Sequence, residues 1–243
     1  MKRTSTKRRA FLKLTLLAVV GESGAAPEAP TYRKFRLEQQ DFLRLQLYWK
    51  RADGTRFGTL AAVHRDLVAN GQRPLCLMNA GIFDLHHAPL GLHRSQGREW
   101  HPLNKEDGWG NFFLKPNGVF AISQNQKTAS IRSTQAEQVP EASLAVQSGP
   151  LLVLDGKLHP AFRANSSNRK LRNGIGVDRK GAIVLAISTE PVCFHDFAQY
   201  FLETEHCPNA LYLDGSISQC WLASEGQPPP EDQEFAGILA VVA

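Results

Sequence analysis

Residues 209–218 read NALYLDGSIS, an apolar run of β-forming residues that turns polar at Asp214. A buried strand that delivers a carboxylate, a glycine and hydroxyls at its end is a common way to build a functional site. The alternative is a simple hairpin turn, since Asp-Gly is a strong turn pair. Asp214, Gly215, Ser216 and Ser218 are therefore the first candidate site residues.

Three other segments join an apolar run to polar side chains and glycine. They are 77–84 (LMNAGIFD), 145–150 (AVQSGP) and 172–176 (RNGIG). Four such junctions in one small domain predict a single shared pocket. The candidates that they add are Asn79, Gly81, Asp84, Gln147, Ser148, Gly149, Arg172 and Asn173, with Glu190 as a further carboxylate.

The first 25 residues have the features of an export signal: a basic start, a short apolar core and small residues at the end. Arg8-Arg9 before Phe11-Leu12 resembles a twin-arginine signal, although an ordinary basic region can contain two arginines by chance. The apolar core is shorter than the roughly 20 residues of a membrane span. We predict a signal peptide over 1–25, a linker over 26–34 and one domain over 35–243, periplasmic or secreted, with no stable membrane span after cleavage.

Charge argues against a nucleic-acid partner. Residues 1–25 hold six of the 28 Lys and Arg residues and one of the 23 Asp and Glu residues, so the rest of the chain is formally neutral. The excess of basic residues belongs to the leader, and nothing in the remainder indicates binding to a polyanion. The sequence leaves the oligomeric state open.

The cysteines and histidines predict no metal site and no cofactor. There is no Cys-x-x-Cys pair, and the histidines of residues 84–111 fit no ligand spacing, so we expect them to be exposed loop residues. An oxidising compartment permits a disulfide of Cys193 with Cys220 or Cys207, and spacing does not choose between them. Cys76 lies in the apolar run 75–78 and is expected to be a buried free thiol.

Periodicity predicts an α+β fold, with a mostly antiparallel or mixed sheet built from hairpins and a few flanking helices in a single domain. Turn residues predict three hairpins, 112–122, 151–158 and 175–187, which are too short for crossover helices. Strands are also predicted over 43–49, 75–78 and 235–242, and helices over 60–71 and 194–202. Residues 84–111 are predicted to be a long irregular excursion.

Several enzyme classes lose their usual motifs. No Gly-x-Ser-x-Gly elbow, phosphate-binding loop or dinucleotide fingerprint occurs, and Ser167-x-x-Lys170 lacks the Lys-Thr-Gly partner of penicillin-binding enzymes. The remaining candidates suit a glycan that bears a phosphate. An arginine holds phosphate, amides and hydroxyls hold sugar hydroxyls, and a carboxylate acts at the anomeric carbon.

In order along the chain, the motifs NAGxFD (79–84), QSGPLLV (147–153), RNGIGV (172–177) and LYLDGSxS (211–218) resemble the phosphodiester glycosidase domain family. The resemblance implies an α+β fold and a pocket that contains Asn79, Asp84, Arg172 and Asp214. Members of the lysosomal type tend to read Asp-Gly-Gly-Gly-Ser where this chain has DGSIS at 214–218, which narrows the loop.

Three functional hypotheses follow. The first is an exported hydrolase of a sugar-1-phosphate diester or related envelope glycan, with Asp84, Asp214 and Arg172 as catalytic residues. The second is a non-catalytic periplasmic glycan-binding protein that uses the same pocket. In the third, Asp84 and Asp214 only cap turns, and Arg172 pairs with one of them in the core.

Overall fold

Strands dominate the fold, as a computed structural model shows for residues 30–136, 141–215 and 217–243. In those residues the strands are β1 (Tyr32–Leu37), β2 (Leu45–Tyr48), β3 (Pro74–Asn79), β4 (His93–Ser95), β5 (Arg98–His101), β6 (Gly118–Ser123), β7 (Ala129–Ser133), β8 (Ala142–Ser148), β9 (Leu151–Leu154), β10 (Lys157–Leu158), β11 (Asn173–Val177), β12 (Ile183–Ser188), β13 (Asn209–Asp214), β14 (Cys220–Leu222) and β15 (Ile238–Val242). The α-helices are α1 (Leu60–Ala69) and α2 (Phe194–Gln199), and α2 continues as a π-helical turn over Tyr200–Thr204.

The strands form three antiparallel sheets. The first has the order β1-β12-β11-β13-β9-β10, the second β14-β3-β15-β2 and the third β5-β4-β8-β6-β7. Every pairing between these strands is antiparallel. The predicted α+β class, with a mostly antiparallel sheet and few helices in one domain, is confirmed.

One central core joins the three sheets. Alternate residues of strands from every sheet point into it, among them Met78 of β3, Val146 of β8 and Leu211 of β13. A second apolar cluster lies between the first sheet and α2, and a third lies between the second sheet and α1. The helices therefore cover outer faces of the sheets, and the strand ends are left to meet around the central core.

The short hairpins at 151–158 and 175–187 are confirmed. β9 pairs with β10 around Asp155 and Gly156, which both have positive φ, and β11 pairs with β12. The strand at 235–242 is also confirmed, because β15 lies between β3 and β2 in its sheet. The helix predicted to end at Asn70-Gly71 is α1, and Gly71 has a φ of 73°.

The predicted hairpin at 112–122 is wrong. Asn111–Phe113 forms a 3₁₀ helix, and β6 pairs with β7 and β8 instead. The reason is a side-chain interaction: Asn117 Nδ2 donates to the carbonyl of Phe112 at 2.8 Å, and Phe112 is fully buried. The apolar residues that were expected to form a strand thus form a short helix, and Phe112 packs in the protein interior.

Three further boundaries differ from the prediction. Gln39–Arg44 is a 3₁₀ helix that leaves Leu43 exposed, so only the second half of the strand predicted over 43–49 is β2. The excursion 84–111 contains the hairpin of β4 and β5, which buries His93 at 1% exposure. β1 begins at Tyr32, inside the predicted linker, because its backbone pairs with β12. The predicted signal peptide lies outside the described residues.

The disulfide of Cys193 with Cys220 or Cys207 that an oxidising compartment would permit is not present, and all four cysteines are buried free thiols, as expected for Cys76. Cys193 faces the carbonyls of Arg163 and Ala164, while Cys207 packs in the apolar cluster beneath α2. Cys220 faces the central core on another sheet. In the described part of the chain, no helix has the length and apolar character that crossing a membrane requires.

Candidate active site

Three strand ends meet at one place beside the central core. β3 ends at Asn79, β13 ends at Asp214, and β11 begins at Asn173, which is the antiparallel partner of Asp214. The register between β11 and β13 shifts immediately after this pair, as in a β-bulge. Such bulges are common next to functional sites because they redirect side chains.

Asn79 is the centre of the hydrogen-bond network. Its Oδ1 accepts from Asn173 Nδ2 at 3.0 Å and from the backbone N–H of Gln219 at 2.8 Å. These two bonds fix the orientation of the amide, so its Nδ2 faces Asp214 Oδ2 at 3.3 Å. Because Asn79 is only 1% exposed, the amide is held in this position by the protein alone.

Asp214 is a partly buried carboxylate without a cationic partner among the described residues. Burial raises its pKa to about 6, against the opposing effect of hydrogen bonds from the Gly215 N–H and from Asn79. A carboxyl group with a pKa near neutrality can gain or lose a proton under physiological conditions.

Arg172 is a buried cation with neutral partners. Its Nε donates to the carbonyl of Val192 at 2.9 Å, and its Nη2 donates to the carbonyl of Asn168 at 2.9 Å. The guanidinium carbon lies 3.7 Å from the centre of the Phe194 ring. Burial lowers its pKa. No carboxylate of the described residues pairs with this cation, which is only 1% exposed.

Tyr212 links the arginine to the aspartate, and the sequence reasoning missed it. Its hydroxyl lies 3.5 Å from Arg172 Nη1, and burial raises its pKa. Tyr212 precedes Asp214 by two residues in β13, across the bulge. A Cβ at Gly215 would overlap the Tyr212 hydroxyl, which explains the glycine. The two-residue spacing from Asp214 was the signal that could have identified Tyr212.

Two serines support this arrangement. Ser218 Oγ donates to the backbone carbonyl of Asp214 at 2.9 Å and lies 3.1 Å from Asn173 Oδ1. Ser148 Oγ is fully buried and donates to the carbonyl of Leu213 at 3.0 Å. Both hydroxyls therefore hold the end of β13 in place.

The backbone around the site is shaped by Gln147, Gly81 and Gly149. Gln147 Oε1 accepts from the backbone N–H groups of Leu92 and Asn104 at 3.0 and 2.9 Å, so its amide anchors a loop. Gly81 has a φ of 82°. A Cβ at Gly149 would lie 2.7 Å from the carbonyl oxygen of Phe112. The positive φ favours glycine at position 81, and close backbone packing requires it at position 149.

The structure does not join Asp84 or Glu190 to this network in the part of the chain it describes. Asp84 Oδ1 accepts from the N–H groups of Ala88 and His86 at 2.9 and 2.8 Å, and these bonds lower its pKa. It therefore caps a turn, as the third hypothesis expected of it. Glu190 is exposed. Ser216 lies outside the described residues.

The chain combines an antiparallel α+β fold with a polar site at converging strand ends. A family model described as phosphodiester glycosidase matches residues 74–241, and the chain belongs to this family. It is 35% identical over 242 residues to the uncharacterized protein YigE of Escherichia coli (strain K12). The aligned region covers 98% of this chain and 94% of YigE.

Solved structures agree on the fold. The catalytic domain of zebrafish N-acetylglucosamine-1-phosphodiester alpha-N-acetylglucosaminidase, auto-inhibited by its pro-peptide, matches with a TM-score of 0.58 and 14% identity, over 89% of this chain and 85% of that one. An exported protein of Burkholderia pseudomallei, described as putative, matches with a TM-score of 0.54 and 12% identity, over 87% of this chain and 74% of that one.

Proposed function

We propose that this protein is an exported hydrolase that cleaves a sugar-1-phosphate diester or a related envelope glycan. Two observations carry the proposal together. Asp214 is a carboxylate with a pKa near 6, and Arg172 is a buried cation without an acidic partner in the described residues. Family membership supports the reaction class, and the substrate named for the zebrafish enzyme supports the kind of bond.

The number of carboxylates in the network supports a phosphate leaving group. Glycosidases usually use two carboxylates, one of which protonates the departing oxygen. Asp214 is the carboxylate that the described contacts join to Asn79 and Asn173, whereas Asp84 is occupied at a turn. A phosphate monoester leaves as a stabilised anion, since its second pKa is about 6, and it needs little protonation.

In this mechanism Asp214 acts at the anomeric carbon while the bond from that carbon to the phosphate oxygen breaks, and the phosphate leaves with the electron pair. As a base, Asp214 removes a proton from the attacking water; as a nucleophile, it forms a glycosyl ester that water then hydrolyses. Asn79 and the Gly215 N–H orient the carboxylate. Arg172, through the Tyr212 hydroxyl beside it, stabilises negative charge on the phosphate.

The test is hydrolysis of N-acetylglucosamine-1-phosphate diesters by the purified protein, with the released sugar measured directly. Asp214→Asn should abolish release, and the matched variant Asp84→Asn should retain it, because Asp84 caps a turn. Binding of these diesters without release, unchanged in Asp214→Asn, would support the glycan-binding hypothesis instead. The anomeric configuration of the product distinguishes nucleophile from base.

Export is part of the same proposal and has its own test. The basic and apolar character of residues 1–25 supports cleavage after Ala25 and a periplasmic or secreted location. Mass spectrometry of the protein recovered from bacterial cells should find Ala26 as the first residue. Recovery of the full-length chain from the cytoplasm alone would contradict export.

A further inference from the structure

Cys76 and Cys220 form a pair of thiols on adjacent strands. In the antiparallel register of β14 and β3, Cys220 lies opposite Met78, and Leu222 lies opposite Cys76. The two cysteines are thus diagonal neighbours, and both belong to the central core, so their side chains share one face of the sheet. Each thiol shifts the pKa of the other, upward for Cys76 and downward for Cys220, as close neighbours do.

The surroundings make Cys220 the more reactive of the two. The neighbouring Cys76 thiol lowers the pKa of Cys220 and burial opposes this effect; the positive charge of Arg33 lowers it further, partly offset by Glu225, which pairs with Arg33. Arg33 lies close by, since its Nη2 donates to the backbone carbonyl of Cys220. A thiolate beside a guanidinium is the usual form of a reactive cysteine.

Cys220 is also accessible from a cavity. It lines a space of about 290 Å³ together with Arg33, Ser188, Thr189, Ser218 and Gln219. By contrast, Cys76 is completely buried behind it. A small reagent that enters this cavity meets Cys220 first, and Cys76 is placed to react with the product.

We propose that Cys76 and Cys220 are a disulfide-forming pair, oxidised by a small-molecule disulfide, and that the bond ties β14 to β3. The Cys220 thiolate attacks one sulfur of the reagent, which gives a mixed disulfide and releases one thiol. The Cys76 sulfur, after losing its proton, attacks the Cys220 sulfur and displaces the second thiol. Two protein thiols are oxidised, and one reagent disulfide is reduced to two thiols.

The bond would hold the segment that supports the candidate active site. Ser218 and Gln219 immediately precede β14 and contact Asp214, Asn173 and Asn79. Fixing Cys220 to β3 limits the movement of this segment relative to Asn79, which ends β3. The proposal concerns thiol chemistry and does not depend on glycosidase activity.

The other cysteines provide controls. Burial raises the pKa of Cys207 to about 12, so it is a poor nucleophile. Cys193 lies at the N-terminus of α2 on the other side of the first sheet from the central core. Neither shares a face with Cys76 and Cys220.

The experiment exposes the folded full-length protein to oxidised glutathione, alkylates the remaining thiols after denaturation and maps peptides by mass spectrometry. Two of the four cysteines should escape alkylation, and one cross-linked peptide should join Cys76 to Cys220. The double variant Cys193→Ala with Cys207→Ala should form the same bond, whereas Cys76→Ala should stop at a glutathione adduct on Cys220.

Thermal unfolding gives a second measurement. The oxidised wild type should melt several degrees above the reduced form, because the bond restricts the unfolded chain. The double variant Cys76→Ala with Cys220→Ala, which can form neither the bond nor the adduct, should melt at the same temperature with or without glutathione treatment, within a degree or so. Four alkylated cysteines after prolonged oxidation, a bond that involves Cys193 or Cys207, or a bond that lowers the melting temperature would overturn the proposal.

Discussion

The buried charges at the two ends of strand β11 lie in opposite environments. After its last residue, Asp178 accepts hydrogen bonds from the Arg36 guanidinium and from the N–H groups of Lys180 and Ala182. Burial raises the pKa of Asp178, but Arg36 and these backbone donors outweigh it and lower the pKa overall. At the start of β11, Asp214 has a raised pKa, and Arg172 has neutral partners.

Asp178 carries a structural charge, whereas Arg172 and Asp214 carry the charges to which the proposed function assigns a role. Asp178 is paired and hydrogen-bonded, so its ionised form stabilises the native state. Arg172 and Asp214 have no ion-pair partner among the described residues, which costs stability and is the feature on which the proposed function rests. Asp214→Asn should therefore lose activity and gain stability, whereas Asp178→Asn should lose stability and keep its activity.

The largest expected effect is on catalysis at the site end. Asp214→Asn should lower kcat/KM for a sugar-1-phosphate diester by about 10²–10⁴-fold, because the residue loses its ability to act on a proton or to form a bond. Wild-type kcat/KM should fall below about pH 6, as Asp214 becomes protonated. Steady-state kinetics of both proteins provide the measurement, and a variant with wild-type kcat/KM would remove Asp214 from the mechanism.

The second effect is on stability, and its sign depends on the raised pKa. The pKa of Asp214 is higher in the folded state than its ordinary 3.8, so its contribution to folding is fully present below pH 4 and is lost as pH rises to about 6. The unfolding free energy of Asp214→Asn, relative to that of the wild type, should rise by about 2–3 kcal/mol when the pH is raised from 4 to 7. Denaturant unfolding at both pH values measures this change, and parallel pH profiles would contradict it.

The third effect lies at the structural end and has the opposite sign. Asp178→Asn should lower the unfolding free energy at pH 7 by about 1–2 kcal/mol, since Arg36 loses its partner but remains partly exposed. The pKa of Asp178 is lowered, so the loss should shrink as pH falls through 3.8 and below. Diester hydrolysis should be unchanged. A loss of activity in a stable Asp178→Asn protein would break the proposed division between the two ends.

The smallest effect tests the connection through Tyr212. Tyr212→Phe keeps the ring that packs against Phe194 but removes the hydroxyl beside Arg172. We expect kcat/KM to fall by about 3–10-fold, the size of one long, weak hydrogen bond. Tyr200→Phe, which removes a hydroxyl bonded to Glu205 away from the site, is the matched control. Equal losses in the two variants would assign Tyr212 a purely structural role.

Local chemistry explains which predictions succeeded. The hairpin of β9 and β10 and the end of α1 depend on turn and cap residues that act over a few positions. The hairpin at 112–122 failed because the side chain of Asn117 captured the carbonyl of Phe112. His93 was expected in an exposed loop, but β4 pairs with β8, which is distant along the chain, and buries it.

For the candidate site, the sequence by itself determined the residue types and the strands that carry Asn79, Asn173 and Asp214, because alternation and turn pairs are local signals. Only the tertiary structure decided that Asp84 stays outside the network while the Tyr212 hydroxyl lies beside Arg172. The pKa of a carboxyl group depends on its burial and on the donors around it, and those donors come from separate strands. Contacts between distant segments, which no local pattern encodes, therefore set the chemistry of the site.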